Sequence, residues 1–274
     1  MRQLAIVLLL AGCASTSTAP IPPAPKMSAE IKAQREQQHA DALIWYGRRT
    51  AYLGRYQEAI DIFSDGARLY PNDARMLRHR GHRWITLRQF DRAVADLTKA
   101  AELIKGKQDE IEPDGLPNAR NIPTSTLQSN IWYHLGLAHY LRGDFESALR
   151  AYRECMNVSK NPDGVVSTSH WLYMTLRRLG QNAAAANVLA PISTDMDVIE
   201  NQSYHKLLLM YRGEIAAEEL LKENDAAIHY GVANWFLYNG ERERAKTLFR
   251  EIVSEKDWAA FGTIAAEAEL HRLD

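Results

Sequence analysis

His79 and His82 stand three residues apart in LRHRGHRW (77–84), a spacing that brings two imidazoles to one face of a helix, where they could hold a metal ion. No carboxylate or third histidine lies near them in the sequence, and the arginines around them repel a cation, so no metal site is expected. His134, His139 and His170 are scattered, and Cys155 reads as a buried, inert thiol. The chain has no glycine-rich phosphate loop, no HExxH, no CxxC and no GxSxG. It is not read as an enzyme, and no cofactor is implied; a catalytic reading needs an unfamiliar site around His79, His82 or His134. The chemistry that remains is recognition. Arginine offers a planar fork for carboxylates, and tyrosine offers apolar area with a polar tip.

Such side chains need a scaffold, and the bulk sequence limits it. A length of 274 residues allows one large domain or two small ones. A formal net charge of −1 and the lack of a lysine run argue against nucleic acid as a partner. Two cysteines make no disulfide framework. After residue 12 no apolar run reaches the ~20 residues that span a bilayer. The N-terminus, MRQLAIVLLLAGCAS, is different: Arg2, an apolar run from Leu4 to Leu10, the small residues Ala11 and Gly12, then Cys13. This is the layout of a secretory signal. Leu10-Ala11-Gly12-Cys13 resembles the lipobox of bacterial lipoproteins. The resemblance implies cleavage before Cys13 and acylation of its thiol and new amino group, with each buried CH₂ contributing ~0.8 kcal/mol of anchoring. Ala14 and Ser15 stand where an Asp often holds such proteins at the inner membrane, which implies the outer membrane, with the domain facing the periplasm. Residues 14–28, with Pro20, Pro22, Pro23 and Pro25, build no core and read as a tether. The expected organisation is a signal peptide over 1–12, a lipidated cysteine and tether over 13–38, and a folded domain over 39–274.

Within that domain the sequence repeats. YGRRTAYLGRYQEAIDIFSDGARLYP (46–71) aligns with RGHRWITLRQFDRAVADLTKAAELIK (80–105), pairing Gly47 with Gly81, Tyr56 with Phe90, Ala59 with Ala93 and Phe63 with Leu97, each 34 residues apart. A third copy, IWYHLGLAHYLRGDFESALRAYREC (131–155), places Trp132, Leu135, Gly136, Gly143, Phe145, Ala148 and Tyr152 in order. Weaker copies run through Gly180 and Ala185, through Tyr204 to Lys222, and through NWFLYNGERERAKTLFREIV (234–253). The period and the order of residues resemble the tetratricopeptide repeat. That resemblance implies an all-α fold: a TPR solenoid of about five to six helix pairs, with a C-terminal capping helix near Trp258 to Leu270. Gly54, Gly143, Gly180, Gly213 and Gly240 mark where the first helix of a pair must stop, since glycine enters the left-handed region freely.

Between the second and third copies the spacing grows to 55 residues, from Gly81 to Gly136. The insert, about 105–128, carries Pro113, Pro117, Pro123 and Gly115, which oppose a helix. It reads either as a solvated loop or as a lid, with Asn118, Arg120 and Asn121 as candidate lid residues. Thr124 or Ser125 is expected to cap the next helix.

The family resemblance also implies a concave groove lined by the first helices. Mapped onto this sequence, its candidate binding residues are Arg48, Arg75, Arg78, His82, Tyr133, Tyr140, His170 and Arg177. Asp41, Asn130 and Met174 fall on the same face. The Lys/Asn clamp of chaperone-binding members is not reproduced, because Ile44 and Arg48 stand in its first-unit positions. HWLYMTLRRLG (170–180) and YGVANWFLYNGERERAKTLF (230–249) resemble the TPR lipoproteins of the bacterial envelope, a group that includes the enterobacterial new lipoprotein I. The expected function is a lipid-anchored interaction module that holds a peptide or protein partner in the groove. The alternative is a receptor for a small anionic glycan or peptide held under the 105–128 loop.

Overall fold

The protein is described here by a computed structural model over residues 28–113 and 116–273, so Cys13 and the signal lie outside the described residues. By compactness the chain divides into residues 1–37 and 38–274. The described part of the first unit is the opening of α1 (Ala29–Tyr52). Ser28 Oγ accepts the Ile31 N–H at 3.3 Å, and Lys32 and Glu36 pair one turn apart. The expected tether to residue 38 is thus helical from Ala29, because AEIKAQREQQ is built from strong helix formers once the prolines are passed.

The second unit is an all-α tetratricopeptide-type array. Its helices pair in order: α1 with α2 (Tyr56–Leu69), α3 (Ala74–Thr86) with α4 (Phe90–Ile104), and α5 (Leu127–Leu141) with α6 (Phe145–Val158). The series continues with α7 (Pro162–Arg178) and α8 (Asn182–Val188), α9 (Gln202–Tyr211) and α10 (Ala217–Leu220), α11 (Ala226–Tyr238) and α12 (Arg242–Ser254), and ends in α13 (Phe261–Leu273). Side-chain oxygens of Asp73, Thr126, Asp144, Asn161 and Asp225 accept the N–H groups left free at five of the helix starts. The cap of α5 is Thr126 rather than Thr124 or Ser125: Thr126 and Ser129 bond each other's backbone N–H, whereas Thr124 Oγ1 is taken by Glu200.

The five expected turn glycines all have positive φ. The α3–α4 turn departs from them: Arg88 sits there at φ 59°. A left-handed non-glycine residue costs about 1–2 kcal/mol. Arg88 offsets this by donating to Thr86 O at 2.6 Å, to Glu267 at 2.7 and 2.8 Å and to Trp258 O at 2.8 Å, with its guanidinium 4.0 Å over the Trp258 ring.

Small residues let paired helices meet, and large ones fill the layer. A Cβ on Gly136 would lie 2.7 Å from the Tyr152 ring, which is itself fully buried. Gly136→Ala is expected to destabilise the protein by about 1–3 kcal/mol, measured by urea unfolding, because the ring has nowhere to retreat. A change below 0.5 kcal/mol would show that the α5–α6 contact is looser than this geometry.

The last helix does more than cover the end of the array. α13 lies on α11 and α12 and also reaches back to the first helices upstream. Phe261 meets His82 of α3 and His134 of α5 at centroid distances of 5.3 and 5.9 Å. Glu269 pairs with Arg178 at the end of α7, and Arg272 donates to Leu141 O at the end of α5. The expected end cap is thus a strut along the inner face.

Candidate functional site

Two segments of the chain occupy the first-helix face: α13, and the insert between α4 and α5. The described part of the insert is docked. Its backbone pairs Glu112 N–H with Ser125 O at 3.1 Å and Leu127 N–H with Glu110 O at 2.8 Å. On one side Arg48 Nη1 donates to Pro113 O at 2.7 Å. On the other, Arg120 pairs with Asp197 at 2.6 Å, and Asn118 donates to Glu200 at 2.7 Å. The 197–200 loop is shaped by buried Asp163, whose carboxylate accepts the N–H groups of Ile199, Glu200 and Asn201. Of the three lid residues, Asn118 and Arg120 therefore fasten the insert, and Asn121 only completes a local turn by donating to Asn118 O.

The mapped groove residues separate into several environments. Tyr140 is fully buried; its hydroxyl oxygen accepts from Asn234 Nδ2 at 2.8 Å and from Tyr230 OH at 3.2 Å. His170 is fully buried too, stacked against Tyr204 at 4.5 Å and Tyr211 at 5.9 Å. Neither faces a partner, which corrects the mapping: α9, α11 and α13 close over these stretches of α5 and α7. Tyr133 is half-buried and donates to Tyr204 OH. Arg177 donates to Tyr173 OH and Asn239 Oδ1 and lies 4.4 Å over the Tyr238 ring. Arg75 is held between Asp73 and Asp41, both at 2.6 Å, and those carboxylates raise its pKa. Arg48, Arg78 and His82 come together beside the insert.

There the structure leaves a cleft of about 310 Å³. Ile44, Trp45, Arg49, Tyr52, Ile111 and Leu127 form its walls. Trp45 is 64% exposed and Ile111 69% exposed, so two large apolar groups stand in solvent on opposite lips. Beside this cleft, sharing Arg48, Tyr52 and His79, lies a chamber of about 90 Å³, bounded also by Arg78, His82 and Arg83 with Phe63 and Ala51. Arg78 Nη2 pairs with the buried insert residue Glu112 at 3.0 Å, and Arg78 Nη1 donates to His79 Nδ1 at 3.1 Å. That bond fixes the His79 proton on Nε2, which faces Glu112 at 3.6 Å. Burial, then the neighbouring Arg78, holds His79 well below the ordinary histidine range; His82 is lowered likewise, by burial and then Arg83. Both imidazoles are neutral here. They are not a metal pair: His79 is bonded to Arg78, and His82 leans on His134 at 4.3 Å.

Cys155 is buried at 3.2 Å from Thr168 Oγ1, and burial pushes its thiol up to about 11, which leaves it protonated and without nucleophilic character. Mapping by repeat position passed over Trp45, Arg49, Tyr52, Arg83 and Glu112. The first three form an i, i+4, i+7 stripe on α1 that helical spacing alone picks out. Arg83 follows from the density of basic residues in RHRGHR, but nothing local marks Glu112.

Residues 129–162, from the first turn of α5 through α6, match the family described as Tetratricopeptide repeat. The fold is a TPR array. A curated relative, the BBSome complex member BBS4 of Bos taurus, is 26% identical over 139 residues, 51% of this chain and 22% of its own length. The chain thus spans about a fifth of that relative. Among solved structures, YrrB, described as a TPR protein with an unusual peptide-binding site, is 14% identical with a TM-score of 0.46, over 89% of this chain and 98% of its own. A tetratricopeptide repeat protein from Parabacteroides merdae is 15% identical with a TM-score of 0.49, over 84% of each chain.

Proposed function

We propose that this chain is a lipid-anchored TPR scaffold of the bacterial envelope that holds a peptide or protein partner in the cleft between α1, α3 and the insert. The observation that carries the binding surface is the cleft itself: a second opening of about 280 Å³ lies between α5 and α7, but only over this cleft do large apolar groups, Trp45 and Ile111, stand exposed above an apolar floor. An exposed aromatic beside Arg49 is the kind of anchor that dominates interface energetics. The anchor reading rests on Arg2, Leu4 to Leu10 and the Leu-Ala-Gly-Cys sequence ending at Cys13. Its destination is the outer membrane, facing the periplasm.

The test uses the full chain in cells, with radiolabelled palmitate and in-situ crosslinking. Cys13→Ala is expected to abolish labelling. Trp45→Ala combined with Arg49→Glu is expected to reduce capture of specific crosslinked proteins at least tenfold while labelling persists. Equal capture by the wild type and the cleft variant would remove the cleft from the reading; labelling of Cys13→Ala would remove the anchor.

A further inference from the structure

The chamber beside the cleft has a charge imbalance that its own chain does not resolve. Five basic side chains bound it, from Arg48, Arg78, His79, His82 and Arg83, and no acidic one does. The nearest carboxylate, Glu112, lies on the cleft side and pairs with Arg78 alone among the arginines. Arg78 Nε is buried without a hydrogen-bond partner, as is Glu112 Oε2. Among the described residues no carboxylate pairs with Arg83; its guanidinium only faces the Tyr56 ring at 5.8 Å. With the histidines neutral, three guanidinium groups meet one carboxylate. Burial, with Arg78 close by, lowers the Arg83 pKa to about 10, against the usual tendency of arginine to hold its proton under all conditions. Arg78 is 7% exposed and its Nε has no partner, and the half-buried Arg83 beside it has no ion pair, so the two present donors and charge that a ligand can complete.

We infer that the chamber is an oxyanion site, completed by a carboxylate or phosphate group that Arg83 and Arg78 Nε bind, with the apolar part of the same ligand lying in the cleft beside it. About 90 Å³ suits a group of that size. Arg48 and Tyr52 border both the chamber and the cleft, so one ligand can enter both. A guanidinium–oxyanion bond is charge-assisted and stronger in a desolvated pocket than in water. This rests on the reading of the cleft as the binding surface and names the chemistry of what enters it.

The experiment is calorimetric titration of the full chain with inorganic phosphate, N-acetylleucine and N-acetylleucinamide, repeated on Arg83→Gln and Glu112→Gln. N-acetylleucine is expected to bind and its amide to bind at least tenfold more weakly, because only the acid carries the charge. Arg83→Gln is expected to weaken acid or phosphate binding at least tenfold while raising the melting temperature of the unliganded protein, since it relieves the repulsion between Arg83 and the buried Arg78 guanidinium. A residue with a merely structural role would lose stability instead. Glu112→Gln is expected to tighten binding by removing the competing carboxylate. Binding of phosphate as tight as N-acetylleucine identifies a free inorganic anion as sufficient; tighter N-acetylleucine adds the cleft. Equal binding of acid and amide, no binding of either anion, or unchanged affinity in Arg83→Gln overturns the site. If the anions fail while Trp45→Ala with Arg49→Glu still loses its crosslinked partner, the cleft reading stands and only the oxyanion site falls.

Discussion

Between pH 7 and pH 5 the protein is expected to lose several kcal/mol of unfolding free energy. His79, His82 and His134 are held well below the ordinary histidine pKa, and His170 is lowered to about 3. Burial is the largest cause in each. For the first three, Arg78 and Arg83 add repulsion; the contact of His134 with the Asn130 carbonyl works the other way, and Glu112 lies 3.6 Å from His79. For His170 burial acts alone. Above pH ~6.5 these side chains are neutral both folded and unfolded, so they contribute no slope. Below it the unfolded chain takes up protons that the folded chain refuses, and stability falls until the folded pKa is reached. For His170 that is about 2 kcal/mol by pH 5, from 1.36 kcal/mol per pH unit. Urea titrations at half-unit intervals of pH measure it. His170→Phe preserves a flat ring between Tyr204 and Tyr211 and is expected to flatten the curve by about one proton's worth. A wild-type curve level from pH 7 to pH 5 would refute the neutral, buried assignment.

Glu269→Ala is expected to cost about 3–5 kcal/mol. Glu269 is fully buried, and its carboxylate receives Arg178 at 2.6 Å and Arg272 at 2.7 Å. Removing it strands two cations where α13 meets α5 and α7. The loss should appear beyond the mutated helix: hydrogen exchange is expected to quicken in α13 and also in the α3–α4 turn, because Arg88 depends on Glu267 and Trp258. Glu269→Gln keeps the shape and loses the charge, and should fall between the wild type and the alanine variant. A loss under 1 kcal/mol would mean that this carboxylate does not hold the last helix in place.

The parts of the molecule that repeat were readable, since a repeated close approach forces a small residue at a fixed interval. Gly47 under Phe63, Gly81 under Leu97 and Gly136 under Tyr152 are one contact written three times. Units four and five are faint because α8 and α10 are cut to seven and four residues, and the chain that follows α8 serves the insert instead. Contacts made once left no pattern. The meeting of Phe261 with His82, the support of Arg88 by Glu267 and the reach of Glu112 to Arg78 each join residues that no period relates. For that reason Tyr140 and His170 looked like groove residues by position and are core residues in fact. The exposed stripe of Trp45, Arg49 and Tyr52 obeyed helical spacing, but the repeat assigned Asp41 and Arg48 of that helix to the groove and passed over these three.

Arrays of this type ordinarily gain or lose a unit during evolution without harm, since each unit answers only to its neighbours. Here the bond from Arg88 to Glu267 spans 179 residues of chain and joins the second helix pair to the final helix. Excising or duplicating any pair from α5 to α12 would carry Glu267 one unit's rise and rotation away from its arginine. The copy number between those points is locked, much as the number of subunits in a closed ring is.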